Sequence, residues 1–244
     1  MFASLFAIMS LIGTESELAQ RPSYLFPMSK AESPPRGQRY RPQPGDFVFF
    51  DDHNTWMTKL YHFGGTDSPL HASMVVRRED GSLAILEAGA KAGMKVLSLD
   101  LEPRMHEFDG TILVRRLRTP LTSDQTKQLA EFAAQQEGKS YAVGRFLLQG
   151  TPFRPRNAPL AQLFGRTVLD RDRWMCSELA AAAAVAAGVL DAETYPANVI
   201  YPRDLCYDER YDLSHFYEPV ALWYQRPELE YVNKGVRVIP PTER

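Results

Sequence analysis

The chain has 244 residues, with 28 Lys and Arg against 30 Asp and Glu and a formal net charge of −2. That balance excludes a surface built to live on phosphate contacts, so no nucleic acid partner is expected. Apolar residues make up 44% and charged residues 24%, a mix that excludes wholesale disorder and fibrous repeats and allows a sizeable buried core. The only cysteines, Cys176 and Cys206, are too few for a disulfide scaffold or a thiolate zinc site, although one bridge between them stays open.

In chain order, Phe2 to Ile12 is an apolar run of the length of a secretory h-region. No Lys or Arg precedes it, and Gly13-Thr14-Glu15 is a poor cleavage site, so it reads at best as a weak export signal and leaves the compartment open. The run is too short to span a bilayer, and no other stretch of about 18 apolar residues occurs. Pro22, Pro27, Pro34, Pro35 and Pro42, with Arg36, Arg39 and Arg41 among the later ones, mark residues 1–43 as an apolar start and a poorly packed, extended leader. Order is expected to begin at Pro44-Gly45-Asp46, a turn in which Asp46 serves turn chemistry, followed by a buried strand at Phe47-Val48-Phe49-Phe50. His71 to Arg77, Leu83 to Ala88 and Thr111 to Arg116 are further strands.

Helices follow. Thr122 and Gln125 form a capping-box pattern ahead of Leu129, Phe132 and Ala133 at helical spacing. A second helix runs from Cys176 through an alanine-rich stretch to Gly188, and its lack of charge after Glu178 predicts enclosure on most sides. The Pro-rich segments 151–159 and 196–202 read as long loops over a pocket. No repeat is present, so residues 44–244 read as a single α+β domain.

Cys176 falls in the first turn of its helix, where the dipole and unpaired N–H groups favour a thiolate and hold a developing oxyanion. Without a partner, a buried cysteine is simply a small hydrophobe. The partner follows from one turn. If Glu79-Asp80-Gly81 is a three-residue hairpin loop, Arg78 faces Ser82, and counting back along both strands sets Ser73 opposite Glu87 and His71 opposite Gly89. Glu87 then lies diagonal to His71 on one face, and Gly89 leaves the imidazole room. A loop one residue longer would send Glu87 to the other face. A carboxylate inside Leu83-Ala84-Ile85-Leu86-Glu87-Ala88 is costly to bury unless paired, which favours the paired register. His53 and His62 lie among polar or turn residues, and His106 and His215 lack a strand-glutamate partner, so all four read as surface or supporting residues. Neither HExxH nor CxxC occurs, so no metal and no cofactor is expected.

The order Pro44-Gly45-Asp46-Phe47-Val48-Phe49, His71 at a strand start, Leu86-Glu87-Ala88-Gly89, Tyr141 and Trp174-Met175-Cys176-Ser177-Glu178-Leu179 resembles the circularly permuted papain-like enzymes of the NlpC/p60 superfamily, the YaeF/YiiX-like branch. The resemblance covers roughly residues 44 to 205. It implies an antiparallel sheet or small half-barrel packed against a nucleophile helix, with histidine preceding cysteine in the chain. It also implies nucleophile, base and orienter at Cys176, His71 and Glu87. Tyr141 would assist the oxyanion or the substrate, with core packing as its other reading. Glu178 would bind a loop backbone or a substrate amine, or simply complement the helix dipole. Arg203, in the segment Tyr201 to Leu205, would meet a substrate carboxylate, or pair with Asp204. Residues 146–173 depart from a compact member as a long insertion that could form a lid.

The function expected is a thiol hydrolase acting on an amide through an acyl-enzyme on Cys176, with a small peptide or cell-wall fragment as substrate. A lipid acyl hydrolase or acyltransferase with the same residues is the first alternative, and a binding module without turnover is the second. Oligomeric state is not indicated.

Overall fold

The computed structural model describes residues 23–28, 37–53, 67–145 and 167–225. The apolar run 2–12, the Pro-rich stretch 151–159, His62 and most of the 146–173 insertion lie outside the described residues. Among the described residues ten strands form one sheet: β1 (Tyr24–Pro27), β2 (Gln38–Arg39), β3 (Phe47–Asp51), β4 (His71–Arg77), β5 (Leu83–Gly89), β6 (Lys95–Asp100), β7 (Thr111–Arg115), β8 (Ser140–Tyr141), β9 (Arg173–Trp174) and β10 (Ala221–Tyr224). Their order across the sheet is β2-β1-β10-β7-β3-β4-β5-β6-β8-β9. Every neighbouring pair is antiparallel except β8 with β9. Among the described residues the helices are α1 (Leu101–His106), α2 (Ser123–Gln136), α3 (Cys176–Ala186) and α4 (Pro202–Tyr207), so the fold is mixed α+β.

Period-two alternation gives the sheet two buried faces. Phe47, Phe49, Ala72, Met74, Ala84 and Leu86 point to one core, shared with α2 and α3. Val48, Phe50, Val75, Ile85, Ile112 and Val114 point to the other, shared with Leu101 and Met105 of α1. Both faces being covered explains why β3 to β5 read as nearly continuous apolar runs. The expected strands on the sequence fall within one residue of those observed.

α2 starts as its capping box dictates: Thr122 Oγ1 accepts the Gln125 N–H at 3.2 Å, and Gln125 Oε1 accepts the Thr122 N–H at 3.1 Å. α3 is enclosed, with every residue from Cys176 to Ala184 buried. The small alanine side chains let it lie close against β4 and β5 on one side and α2 on another.

Two expectations are corrected. The segment before Pro44 is not a poorly packed leader throughout: β1 pairs with β10 from Tyr24↔Tyr224 to Pro27↔Ala221, and Tyr24, Leu25, Phe26 and Tyr40 are buried. The apolar trio is short and flanked by prolines, and its pairing partner lies far along the chain, so local sequence carries no sign of the strand. The segment 196–202 is not a loop over the pocket but a short 3₁₀ turn (Ala197–Val199) leading into α4, with Pro202 at a helix start where its missing N–H costs nothing. It is packed beneath α3, whose Ser177 hydroxyl donates to the Ile200 carbonyl at 2.8 Å.

Asp46 does more than turn the chain. Its fully buried carboxylate accepts from the Leu117 N–H (2.9 Å), the Tyr40 hydroxyl (3.0 Å) and the Gln43 N–H (3.3 Å), tying the segment before β3 to the one after β7. Burial pushes this carboxyl up to about 6 in spite of those bonds. Asp46→Ala strands buried donors and is expected to lower stability by about 2–4 kcal/mol, read as a reduced urea midpoint at unchanged slope.

Candidate active site

The β4–β5 turn sets the site. Arg78 N–H donates to Ser82 O at 2.9 Å and Gly81 N–H to Arg78 O at 3.0 Å, with Gly81 at φ +86°, the left-handed position a three-residue loop requires. Asp80 Oδ1 fastens the turn by accepting from the Ser82 N–H and hydroxyl at 2.9 and 2.6 Å. The ladder then runs from Arg77↔Leu83 to Met74↔Leu86, the register the sequence predicts. His71 and Glu87 share a face, and His71 Nε2 donates to Glu87 Oε2 at 3.1 Å. A Cβ on Gly89 would stand 3.1 Å from His71 Cε1, so only glycine gives the ring this place without displacing it.

By register His71 belongs to the α1 face and α3 to the opposite face. They meet because β4 ends at His71: the first residue of α3, Cys176, reaches that open end with Sγ 4.0 Å from the Leu70 carbonyl. The imidazole lies beside the Cys176 sulfur, close enough for each to shift the other's pKa. With Nε2 engaged by Glu87, Nδ1 is the nitrogen left to exchange a proton with the thiol. Tyr141, on β8, lines the same cavity, a space of about 400 Å³, held there by its N–H donating to Met94 O at 2.8 Å.

Electrostatics separate the two thiols. Burial alone would raise the Cys176 pKa, but the hydrogen bond and charge of His71, with the Ala72 and Ser177 N–H groups, outweigh it and hold the thiol below its usual value. Burial likewise works against a charged His71, yet its bonds to Cys176 and Glu87 raise it to about 10. Both shifts favour the thiolate–imidazolium form over the neutral pair. Burial also pushes Cys206 well up, and no imidazole meets it, so it is an inert core thiol. Both cysteines are free, which removes the bridge.

One residue of the cluster has no counterpart in the sequence reading. Arg104 Nε donates to the same Glu87 Oε2 at 3.0 Å, and its guanidinium stacks 3.8 Å over the Phe50 ring. Burial would raise the Glu87 pKa, but His71 and Arg104 together keep it below the usual glutamate value. Leu101, Arg104 and Met105 are the buried residues of α1, an i, i+3, i+4 stripe with a cation on its apolar face. That pattern was the available signal, obscured by Pro103 in the first turn.

Glu178 and Arg203 are placed elsewhere and do not line the cavity. Glu178 is buried between Arg145 (2.7 Å) and Arg171 (3.2 Å) and accepts the Met175 N–H at 3.3 Å, capping α3 where Met175 supplies no cap. Arg203 pairs with Glu209 at 2.7 Å and donates to Ser68 O at 3.1 Å, bracing the approach to Leu70; Asp204 accepts instead from the Tyr201 N–H. His106 pairs with Glu102 at 3.3 Å, and His53 is exposed beside Thr111. Among the described residues no group of three or more His, Cys, Asp and Glu side chains is arranged to hold a metal ion.

No protein-family model matches the chain, and no curated protein matches it. Among solved structures, it is similar to the crystal structure of metalloprotein YiiX from Escherichia coli O157:H7, DUF1105, with 21% identity, 61% of this chain and 67% of that chain covered, and a TM-score of 0.42.

The depressed thiol and raised imidazole give a signed pH dependence. Lowering the pH from 9 to 7 costs an ordinary thiol of pKa ~8.5 about 25-fold in alkylation rate, whereas the Cys176 rate with iodoacetamide is expected to fall by clearly less than that. His71→Ala is expected to restore the ordinary fall, and Gly89→Ala to restore part of it by displacing the ring. Cys206 is expected to react only in denaturant, as mapped by peptide mass.

Proposed function

We propose that the protein is a cysteine hydrolase that cleaves an amide through an acyl-enzyme on Cys176, with a small peptide or cell-wall fragment as substrate. The observation that carries this reading is that Cys176, His71 and Glu87 line one cavity, with His71 bonded to Glu87 and beside the sulfur, the thiol held low and the imidazole high. A buried thiol with no task has no need of an imidazolium, and the charged row is expensive to maintain in a dry site.

In this mechanism the thiolate attacks the carbonyl carbon, and the negative charge moves to oxygen beside the first-turn N–H groups of α3 and the Tyr141 side chain. His71 gives its proton to the departing amine nitrogen as the C–N bond breaks, leaving a thioester. Neutral His71 then takes a proton from water, hydroxide adds to the thioester, and the thiol leaves as thiolate while the imidazolium is restored. Glu87 fixes the ring orientation throughout, and Arg104 keeps Glu87 anionic. The same reading assigns the fold to the permuted papain-like type. Support comes from chain order: the base strand, then the orienter strand, then the nucleophile helix lying on an antiparallel sheet.

A second reading is favoured by the cavity wall, where Phe50, Leu70, Ala88, Met94, Phe108 and Val143 present apolar surface. That lining suits an acyl chain, so a lipid acyl hydrolase or acyltransferase would use the same three residues.

Acid quenching of the protein with a pool of peptide amides and acyl thioesters, followed by intact mass measurement, is expected to show an adduct on Cys176 whose mass identifies the acyl half. Cys176→Ser should show none, and Glu87→Gln should turn over about 10²-fold more slowly. A wild-type chain that iodoacetamide labels normally but no substrate acylates would be a binding module instead.

A further inference from the structure

The cavity beside Cys176 is apolar over most of its wall but carries one deeply buried cation. Arg104 is only 8% exposed, lines the cavity, and spends Nε on Glu87. Its terminal nitrogens have no hydrogen-bond acceptor among the described residues. A guanidinium has five N–H donors in a planar fork; with Nε spent on Glu87 and the terminal nitrogens not fully sealed from solvent, the other four are open to a ligand entering the cavity that Arg104 lines. The flat face is already stacked on Phe50 at 3.8 Å, with Phe108 at 5.4 Å, so the fork cannot swing out to solvent without giving up that packing.

The charges of the cluster leave that fork open. Arg104 and imidazolium His71 share a single carboxylate oxygen, Glu87 Oε2. When the acyl-enzyme forms, the thiolate is consumed and His71 gives up its proton with it. Arg104 and Glu87 are then the charges that remain there, joined through Nε, so the terminal fork of Arg104 is still open to an anion. Of the remaining charged residues lining the cavity, Lys91 and Asp52 are both exposed and of opposite sign.

We infer that Arg104 is a substrate-binding residue whose terminal N–H groups clasp a carboxylate, and that the substrate is an amide whose cavity-bound half is apolar and carries a free carboxylate. The inference rests on the cysteine hydrolase reading for the reaction itself, but the anchor is separable from it. A planar carboxylate matches the two terminal nitrogens in bidentate fashion, which a lysine in the same place could not reproduce. Arg203, expected from the sequence to meet a substrate carboxylate, is engaged with Glu209 and Ser68 outside the cavity.

The test uses N-(ω-carboxyalkyl)maleimides of increasing arm length and their methyl esters on the full chain, with the rate of Cys176 labelling as readout. The maleimide reacts alike in each pair, so the rate ratio reports the anchor, whereas the ester rate alone reports the thiol. For one arm length the acid is expected to label at least about tenfold faster than its ester at subsaturating concentration, the size expected of a charge-assisted pair. Arg104→Met is expected to bring the ratio to about 1 and Arg104→Lys to an intermediate value. A wild-type ratio near 1 at every arm length, or a ratio that survives in Arg104→Met, overturns the proposal; slow labelling by all esters would instead count against the hydrolase reading. Should the variants fold poorly, hexanoate is expected to protect the wild-type thiol from the ester at concentrations at least about tenfold below hexanamide. Equal protection by the two overturns the anchor.

Discussion

A single buried carboxylate organises this molecule. Glu87 sits in the middle of an apolar strand, 1% exposed, where an unpaired charge would be untenable. One of its oxygens takes two cations, His71 from the neighbouring strand and Arg104 from the helix that follows β6. The hairpin register, the glycine that makes room for the imidazole, and the packing of α1 on the sheet all serve that arrangement. Its other oxygen, Oε1, is buried with no hydrogen-bond partner in the structure, which leaves the carboxylate under-satisfied and adds to its demand for positive charge.

Cys176 is brought to this cluster by a different kind of constraint. α3 carries almost no polar surface and cannot stand alone, so its position is dictated by close packing of small side chains against the sheet. Its first turn is pinned separately. Glu178, held by Arg145 and Arg171, takes the N-cap role, and Ser177 ties the turn to Ile200. The residues flanking Cys176 are thus structural anchors of the thiol. That is why Glu178, adjacent in sequence, faces an arginine pair rather than the cavity.

The contrast between the cysteines separates composition from chemistry. Both are buried, both are free, and both lie in helices. Only Cys176 meets an imidazole and the N–H groups of Ala72 and Ser177, and its pKa falls; Cys206 has the burial without the partners, and its pKa rises. The low thiol pKa here is set by neighbours from residues 71–72 and from the first turn of its own helix, against the effect of burial.

The sequence by itself determined what is local. The Glu79-Asp80-Gly81 loop, the register of β4 on β5, the His71 and Glu87 pairing, the capped start of α2 and the extent of α3 all follow from turn chemistry, period-two alternation and helix propensity within a few dozen residues. Only the tertiary structure decided what depends on distant pairing. β1 exists because β10 lies beside it, the Pro196 to Pro202 segment is ordered because Ser177 binds it, and Glu178 and Arg203 are diverted from the cavity by partners no spacing rule names. Arg104 belongs there too: a cation on a short, proline-bearing helix becomes part of the site only once α1 folds back over Phe50 and Glu87. Short-range geometry is written in neighbouring residues, whereas the choice of which buried charge meets which is made by packing, and packing is a property of the whole chain.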